Sequence, residues 1–217
     1  MFLLLASLSA HAVDNATLIA GLAAESGWEE VDRKTVDGLE VVVRHKVVAG
    51  QDCLEGTTFA AVKPDKLLTA AADIPHQPAW SSWDMPLAIK LSPGADRFDY
   101  VQLLDNPRPV ADRYWFTQGT RLVSGNDWIF RWEAIDAPTR YPVQLASLLE
   151  KYPDSVSASI NVGDWTFTPI NGSTRVRYRI CTDAGGDLPR WIGEFAARTT
   201  LPTNLRDIVV EARKQGG

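Results

Sequence analysis

The stretch Gly163-Asp164-Trp165-Thr166-Phe167-Thr168-Pro169-Ile170-Asn171-Gly172-Ser173-Thr174-Arg175-Val176-Arg177-Tyr178-Arg179-Ile180-Cys181-Thr182 decides the fold, with the run Asp183-Ala184-Gly185-Gly186-Asp187-Leu188-Pro189-Arg190-Trp191 that follows it. Two β-rich runs flank Asn171-Gly172, a dipeptide that suits a type I′ turn because both central residues need positive φ. Candidate strands at Asp164–Pro169 and Thr174–Thr182 therefore pair as a hairpin. Beyond them, Asp187 can cap a helix and Pro189 suits its first turn, where a missing N–H loses no partner. Trp191, Ile192, Phe195, Leu205, Ile208 and Val209 give that helix an apolar face. Pro202 lies within it, removes a backbone donor and crowds the preceding turn, so a break or kink is expected near Thr200.

Working back from the hairpin, candidate strands fall at Met85–Ser92, Arg97–Asp105, Tyr114–Leu122, Asp127–Ile135 and Ser157–Asn161. Ser92-Pro93-Gly94 and Ser124-Gly125-Asn126 supply turns between them. Regular spacing of this kind predicts one curled antiparallel sheet. The Asp136–Ser155 connection is long for a hairpin. Its Val143, Leu145, Leu148 and Leu149 suggest a short helix ended by Pro153, a segment that could dock on a membrane or partner. The N-terminal part reads as a helix over Asn15–Glu25, a turn at Asp37-Gly38, strands at Leu39–Val48 and Cys53–Val62, and a helix over Asp65–Ala72. The fold class is α+β: helix, two strands, helix, about six strands, long closing helix. A curled sheet has one concave face, and a long apolar helix is its natural cover. Where the two fail to meet, an apolar cavity remains.

The chain of 217 residues carries 22 Lys plus Arg against 27 Asp plus Glu, a net charge of −5, and is 45% hydrophobic. Such a composition excludes a disordered chain and argues against generic nucleic-acid binding. Met1–Leu8 is almost wholly apolar and ends in Ser9-Ala10-His11-Ala12, an A-x-A cleavage signal on a run too short to span a bilayer. We expect a signal peptide at residues 1–12, a single domain at residues 13–217, and a periplasmic or secreted product. Cys53 and Cys181 are the only cysteines. In an oxidising compartment they can form one disulfide, and two separate buried thiols fit the sequence as well. His45 and His76 do not sit at ligand spacing with a cysteine, so no metal or other cofactor is expected.

Three pieces of the chain carry a family resemblance. They are Asn106-Pro107-Arg108-Pro109-Val110-Ala111-Asp112-Arg113-Tyr114, the strand and Gly-Gly run from Gly163 to Trp191, and Leu201-Pro202-Thr203-Asn204-Leu205-Arg206. Together they resemble the START lipid-transfer domains of the helix-grip, or Bet v 1-like, superfamily, although Tyr114 stands where that family usually has an acid after the arginine. The resemblance implies a curled antiparallel sheet wrapped around a long C-terminal helix. It also implies a hydrophobic tunnel that takes one lipid, closed by that helix and nearby loops, and no catalytic residues. It places the strand starting near Cys53 beside the one ending near Cys181, which makes them a disulfide pair.

Candidate ligand contacts are Tyr100, Arg113 and Trp115, with Trp191, Phe195 and Leu205 on the helix that roofs the cavity in the family. Strand alternation puts Trp115 opposite Tyr114 and Phe116, without fixing which set faces the cavity. Arg113 is expected in an ion pair with Asp112, or else at a lipid head group. Arg131, Arg177 and Arg179 are expected mostly to face solvent. The implied function is non-catalytic binding and transfer of one lipid outside the cytoplasm, by a monomer in transient membrane contact with no nucleic-acid partner. Two alternatives stand beside it. One is a helix-grip cyclase or hydrolase that would have to use His45 or His76. The other is a ligand-free interaction module whose cavity is filled by side chains.

Overall fold

Turn chemistry and alternation build one sheet of ten strands in the computed structural model, which describes residues 14–108, 110–158, 160–183 and 190–215, the side chains of 190–197 excepted. The strands are β1 (Glu29–Val36), β2 (Leu39–Val48), β3 (Gln51–Ala60), β4 (Leu87–Lys90), β5 (Arg97–Leu104), β6 (Arg113–Ser124), β7 (Asp127–Ala134), β8 (Val156–Ser157), β9 (Ile160–Ile170) and β10 (Ser173–Asp183). Their order is β1-β2-β3-β10-β9-β7-β6-β5-β4, with β8 a short parallel graft on β6. All the other pairings are antiparallel. The order brings the chain's two halves together at β3 and β10, where Cys53 is the register partner of Cys181. Asn171 and Gly172 both take positive φ, 47° and 79°, as a type I′ turn requires.

β1 has no counterpart among the expected strands. Its sequence, Glu29-Glu30-Val31-Asp32-Arg33-Lys34-Thr35-Val36, is too charged to show an apolar alternation. Charge is how an edge strand is kept from pairing with a second chain. β9 is continuous where two pieces were expected, because the interruption at Gly163 is a close approach and not a turn. A Cβ at Gly163 would lie 2.3 Å from the Arg179 carbonyl oxygen and 2.5 Å from the Trp132 ring.

The helices are α1 (Asn15–Ala23), α2 (Pro64–Ala72), α3 (Gln77–Trp80), α4 (Ala137–Arg140), α5 (Pro142–Lys151) and α6 (Arg190–Lys214). Helix α6 is one unbroken element through Pro202, so the break expected near Thr200 does not occur. Proline at 202 removes the N–H that would bond the carbonyl of Arg198, four residues back. That carbonyl instead accepts from the Lys34 ammonium at 3.4 Å. Beyond the proline, Leu201, Leu205, Ile208, Val209 and Ala212 recur at helical spacing and are all buried. They meet α2 and the concave face in the main core, with Val41, Val43, Phe167 and Val176.

The convex face carries two smaller cores. Leu18 and Leu22 of α1 cover the Cys53–Cys181 disulfide together with Val48 and Val162. Tyr114 and Phe116 pack under α4 and α5 with Ala137 and Leu148. Leu148 thus anchors the 136–155 insertion to the sheet, while Val143 and Leu149 remain exposed. Buried Asp99 holds the insertion from the sheet side, accepting from the Tyr141 hydroxyl at 2.7 Å, Gln118 Nε2 at 2.8 Å and the Arg140 guanidinium at 2.5 Å.

Candidate ligand cavity

Solid core fills the concave face only where α2 and the second half of α6 lie. The other end leaves a cavity of about 260 Å³, open on one side. Its walls come from alternate residues of four strands: Tyr100 and Gln102 of β5, Arg113 and Trp115 of β6, Phe130 and Trp132 of β7, and Tyr178 and Ile180 of β10. Trp165 of β9 joins them, and Trp80, Trp83 and Met85 close the side reached by the chain between α3 and β4. Among the described residues, five tryptophans line it.

Alternation settles the facing of β6. Trp115 points inward, while Tyr114 and Phe116 pack in the convex-side core. It settles β10 in the same way, with Tyr178 and Ile180 inward and Arg175, Arg177 and Arg179 on the other face.

The polar groups of the cavity are mostly committed. The Trp115 indole N–H donates to Gln102 Oε1 at 2.9 Å. The Gln102 amide donates to Gln77 Oε1, and the Gln77 amide donates to the Ala71 carbonyl at 3.1 Å. This relay ties the wall to α2 and fixes one indole plane. The Trp132 N–H donates to Asn161 Oδ1 at 2.7 Å and fixes a second. The Tyr178 ring lies 4.5 Å from Trp165 and 5.4 Å from Trp132, centroid to centroid. Its hydroxyl has no hydrogen-bond partner among the described residues. Burial raises the pKa of Tyr100 and Tyr178 well above the ordinary phenol value, so both remain neutral hydroxyls at any physiological pH.

Arg113 is the one cationic side chain among the described lining residues. Its guanidinium donates to the Ala111 carbonyl at 2.6 Å and the Asp112 carbonyl at 3.4 Å. Burial pulls its pKa down, and the charges of Asp112 and Asp183 partly offset this. Its contact with residue 112 is therefore through the backbone carbonyl as well as through the longer-range attraction of the carboxylate.

Of the sequence-derived candidates, Tyr100, Arg113 and Trp115 line the cavity together. Leu205 does not: it is fully buried against β3, where a Cβ on Gly56 would sit 2.7 Å from its Cδ1. One residue earlier on the same helix, Asn204 lines the cavity. The Trp191 and Phe195 side chains lie outside the described residues, as do residues 1–12 and the Ala184–Pro189 run. His45 pairs with Asp52 at 2.9 Å and His76 with Asp73 at 2.6 Å, and neither is among the lining residues.

Arg179 departs from expectation. It does not face solvent, because α1 crosses the convex face above it. The side chain is 1% exposed and donates to Glu55 at 2.6 Å, to the Leu22 carbonyl at 2.6 Å and to Glu25 at 2.9 Å. The lining residues that sequence reasoning missed are chiefly Phe130, Trp132, Tyr178 and Ile180. Their signal was present in the arginines between them: a residue flanked by Arg177 and Arg179, or next to Arg131, must face the opposite side of the strand.

A curled antiparallel sheet covered by a C-terminal helix, with a cavity between them, is the helix-grip fold in its START form. Among solved structures, human STARD10 shares it at a TM-score of 0.73, with 17% identity over 97% of this chain and 84% of that one. A STAR-related lipid transfer protein fragment from Xanthomonas axonopodis shares it at 0.70, with 20% identity over 87% of this chain and 99% of that one. An aromatase/cyclase, Zhui, from a Streptomyces species is more distant at 0.54, with 13% identity over 76% of this chain and 95% of that one. No family model matches the chain, and no curated protein matches it. Likeness at these identities shows the fold.

Proposed function

We propose that this protein binds a single hydrophobic ligand in the cavity between sheet and α6, and carries it through water without chemically changing it. The observation that carries the reading is the cavity itself. It is a deep recess walled mainly by indole and phenyl rings, two of the indoles fixed in plane by hydrogen bonds, and several of its polar groups are already paired with one another. Closely packed interiors rarely leave such a space unless something fills it. The similar protein from Xanthomonas axonopodis named for lipid transfer, and a START-type fold, support a lipid or lipid-like ligand. The two histidines that an acid–base mechanism would need are engaged with aspartates away from the cavity.

The buried disulfide supports a working place outside the cytoplasm, since such bonds persist in oxidising compartments. Among the described residues no helix is long and apolar enough to cross a membrane. The test is native mass spectrometry of protein isolated from its source, followed by solvent extraction. A stoichiometric bound hydrophobe that exchanges unaltered into acceptor vesicles is the expected result. An apo mass, with no uptake from mixed membrane lipids, refutes the reading.

A further inference from the structure

The cavity constrains its occupant more tightly than "hydrophobic" does. A flexible acyl chain asks only for apolar volume, and aliphatic walls serve it as well as any. Here the walls are flat and stiff. Trp132, Tyr178 and Trp165 form one continuous aromatic surface, and Trp115 and Trp132 are each held in plane by a hydrogen bond through the indole nitrogen. Rings of this kind favour offset or edge contact with another ring, by about 0.5–1.5 kcal/mol beyond area burial.

Volume adds to this. The 260 Å³ between the walls has room for roughly ten to twenty non-hydrogen atoms, at about 13–30 Å³ for each water-sized group. Two or three fused rings occupy that volume, and the open side of the cavity admits them. In this space one hydroxyl stands out. Tyr178 Oη sits on a lining side chain in the middle of the aromatic wall, is neutral, and has no partner among the described residues. The side chain is half-buried and its hydroxyl opens on the cavity, so a ligand oxygen that reaches it replaces water there and gains about 0.5–1.5 kcal/mol net.

We infer that the ligand is a compact, flat ring compound bearing one hydrogen-bonding oxygen, with its rings against Trp132 and Trp165 and its oxygen at the Tyr178 hydroxyl. This rests on the binding function proposed above and narrows it to a ligand class and an anchoring residue.

The test is calorimetric titration of the full protein, after solvent stripping, with 2-naphthol, naphthalene, palmitate and phosphatidylcholine vesicles. The expected result is one-to-one binding of 2-naphthol, weaker binding of naphthalene, and no stoichiometric uptake of phosphatidylcholine. Tyr178→Phe should lose about two- to twelve-fold in affinity for 2-naphthol, the reach of one net hydrogen bond of 1 ± 0.5 kcal/mol, and keep its affinity for naphthalene. Should Tyr178→Phe fail to fold, the gap between 2-naphthol and naphthalene in the unsubstituted protein decides the same point. Stoichiometric uptake of palmitate or phosphatidylcholine with none of 2-naphthol overturns this inference and leaves the carrier function standing. Equal binding of the two naphthalenes overturns the anchoring role of Tyr178. Failure to bind any of the four overturns the inference and the proposed function together.

Discussion

Replacing Arg179 with methionine should destabilise the protein by about 3 kcal/mol, at the lower end of the 3–5 kcal/mol for removing one partner of a buried ion pair. The guanidinium is 1% exposed and Glu55, its closest partner, 3%. Methionine fills much the same volume but leaves the Leu22 carbonyl and one oxygen of Glu55 without their donors. The loss stays at the lower end because Glu55 Oε1 keeps Arg44 at 2.6 Å and the Thr57 hydroxyl at 3.3 Å. For a chain of this length each kcal/mol moves the melting temperature by about 2–4 °C, so the expected fall is about 6–12 °C. Scanning calorimetry at pH 7 reads it. The Arg179→Met, Glu55→Met double variant should be more stable than Arg179→Met alone, since no buried charge is then stranded and Arg44 can reach water. A fall below 2 °C, or a double variant less stable than the single, would refute the placing of this ion pair under α1. Acid sensitivity gives a second reading. Burial raises the pKa of Glu25, but Arg179 and Arg177 outweigh that and leave it lowered. A lowered carboxyl stabilises the fold above its unfolded pKa and loses that contribution as pH falls through the folded one. The acid limb of the stability curve should therefore flatten in Arg179→Met.

Three further outcomes follow from the same packing. The Cys53→Ala, Cys181→Ala variant should lose about 2–5 kcal/mol in urea denaturation, because the bond closes a loop across 128 residues of sequence. Asp164 is buried, and desolvation outweighs the nearby arginines and the Thr166 hydroxyl, so its folded pKa is raised. An acid with a raised folded pKa favours folding while protonated, and that contribution is lost as pH rises through the folded pKa. Asp164→Asn should therefore raise the melting temperature at pH 7, with the gain shrinking as pH falls through the raised folded pKa and gone at the ordinary carboxylate pKa; a lowered melting temperature at pH 7 would contradict this. Gly163→Ala should cost about 1–3 kcal/mol by overpacking against the Arg179 carbonyl and Trp132, and should weaken ligand uptake as that indole is pushed into the cavity.

How much of this was legible in the sequence depended on what each segment's signal was made of. The β9–β10 hairpin was readable because Asn171-Gly172 has few conformations open to it, and both residues take the expected positive φ. Strand β2 was readable over its full length because its valines state both propensity and burial. Strand β1 was not, because an edge strand is chosen for charge and its pairing is decided by its neighbour's register. Pro202 misled for a tertiary reason. The orphaned carbonyl is met by Lys34, 164 residues earlier, and a local rule has no view of that partner. Arg179 misled for the same reason, because solvent on the convex face is excluded by α1 and no pattern within β10 announces a helix above it.

The site follows the same division. Alternation on β6 showed that Trp115 opposes Tyr114 and Phe116, but only the packing of α4 and α5 on the convex side says which face is the cavity. On β10 the arginines already held the answer. Three of them at alternate positions cannot all enter an apolar interior, so Tyr178 had to face inward whatever covered the arginines outside. The inward residue is then the informative one. A tyrosine placed by its neighbours' charges in the middle of a wall of tryptophans, its hydroxyl opening on the cavity with no partner among the described residues, is difficult to explain as core alone, since phenylalanine would fill the same space as well.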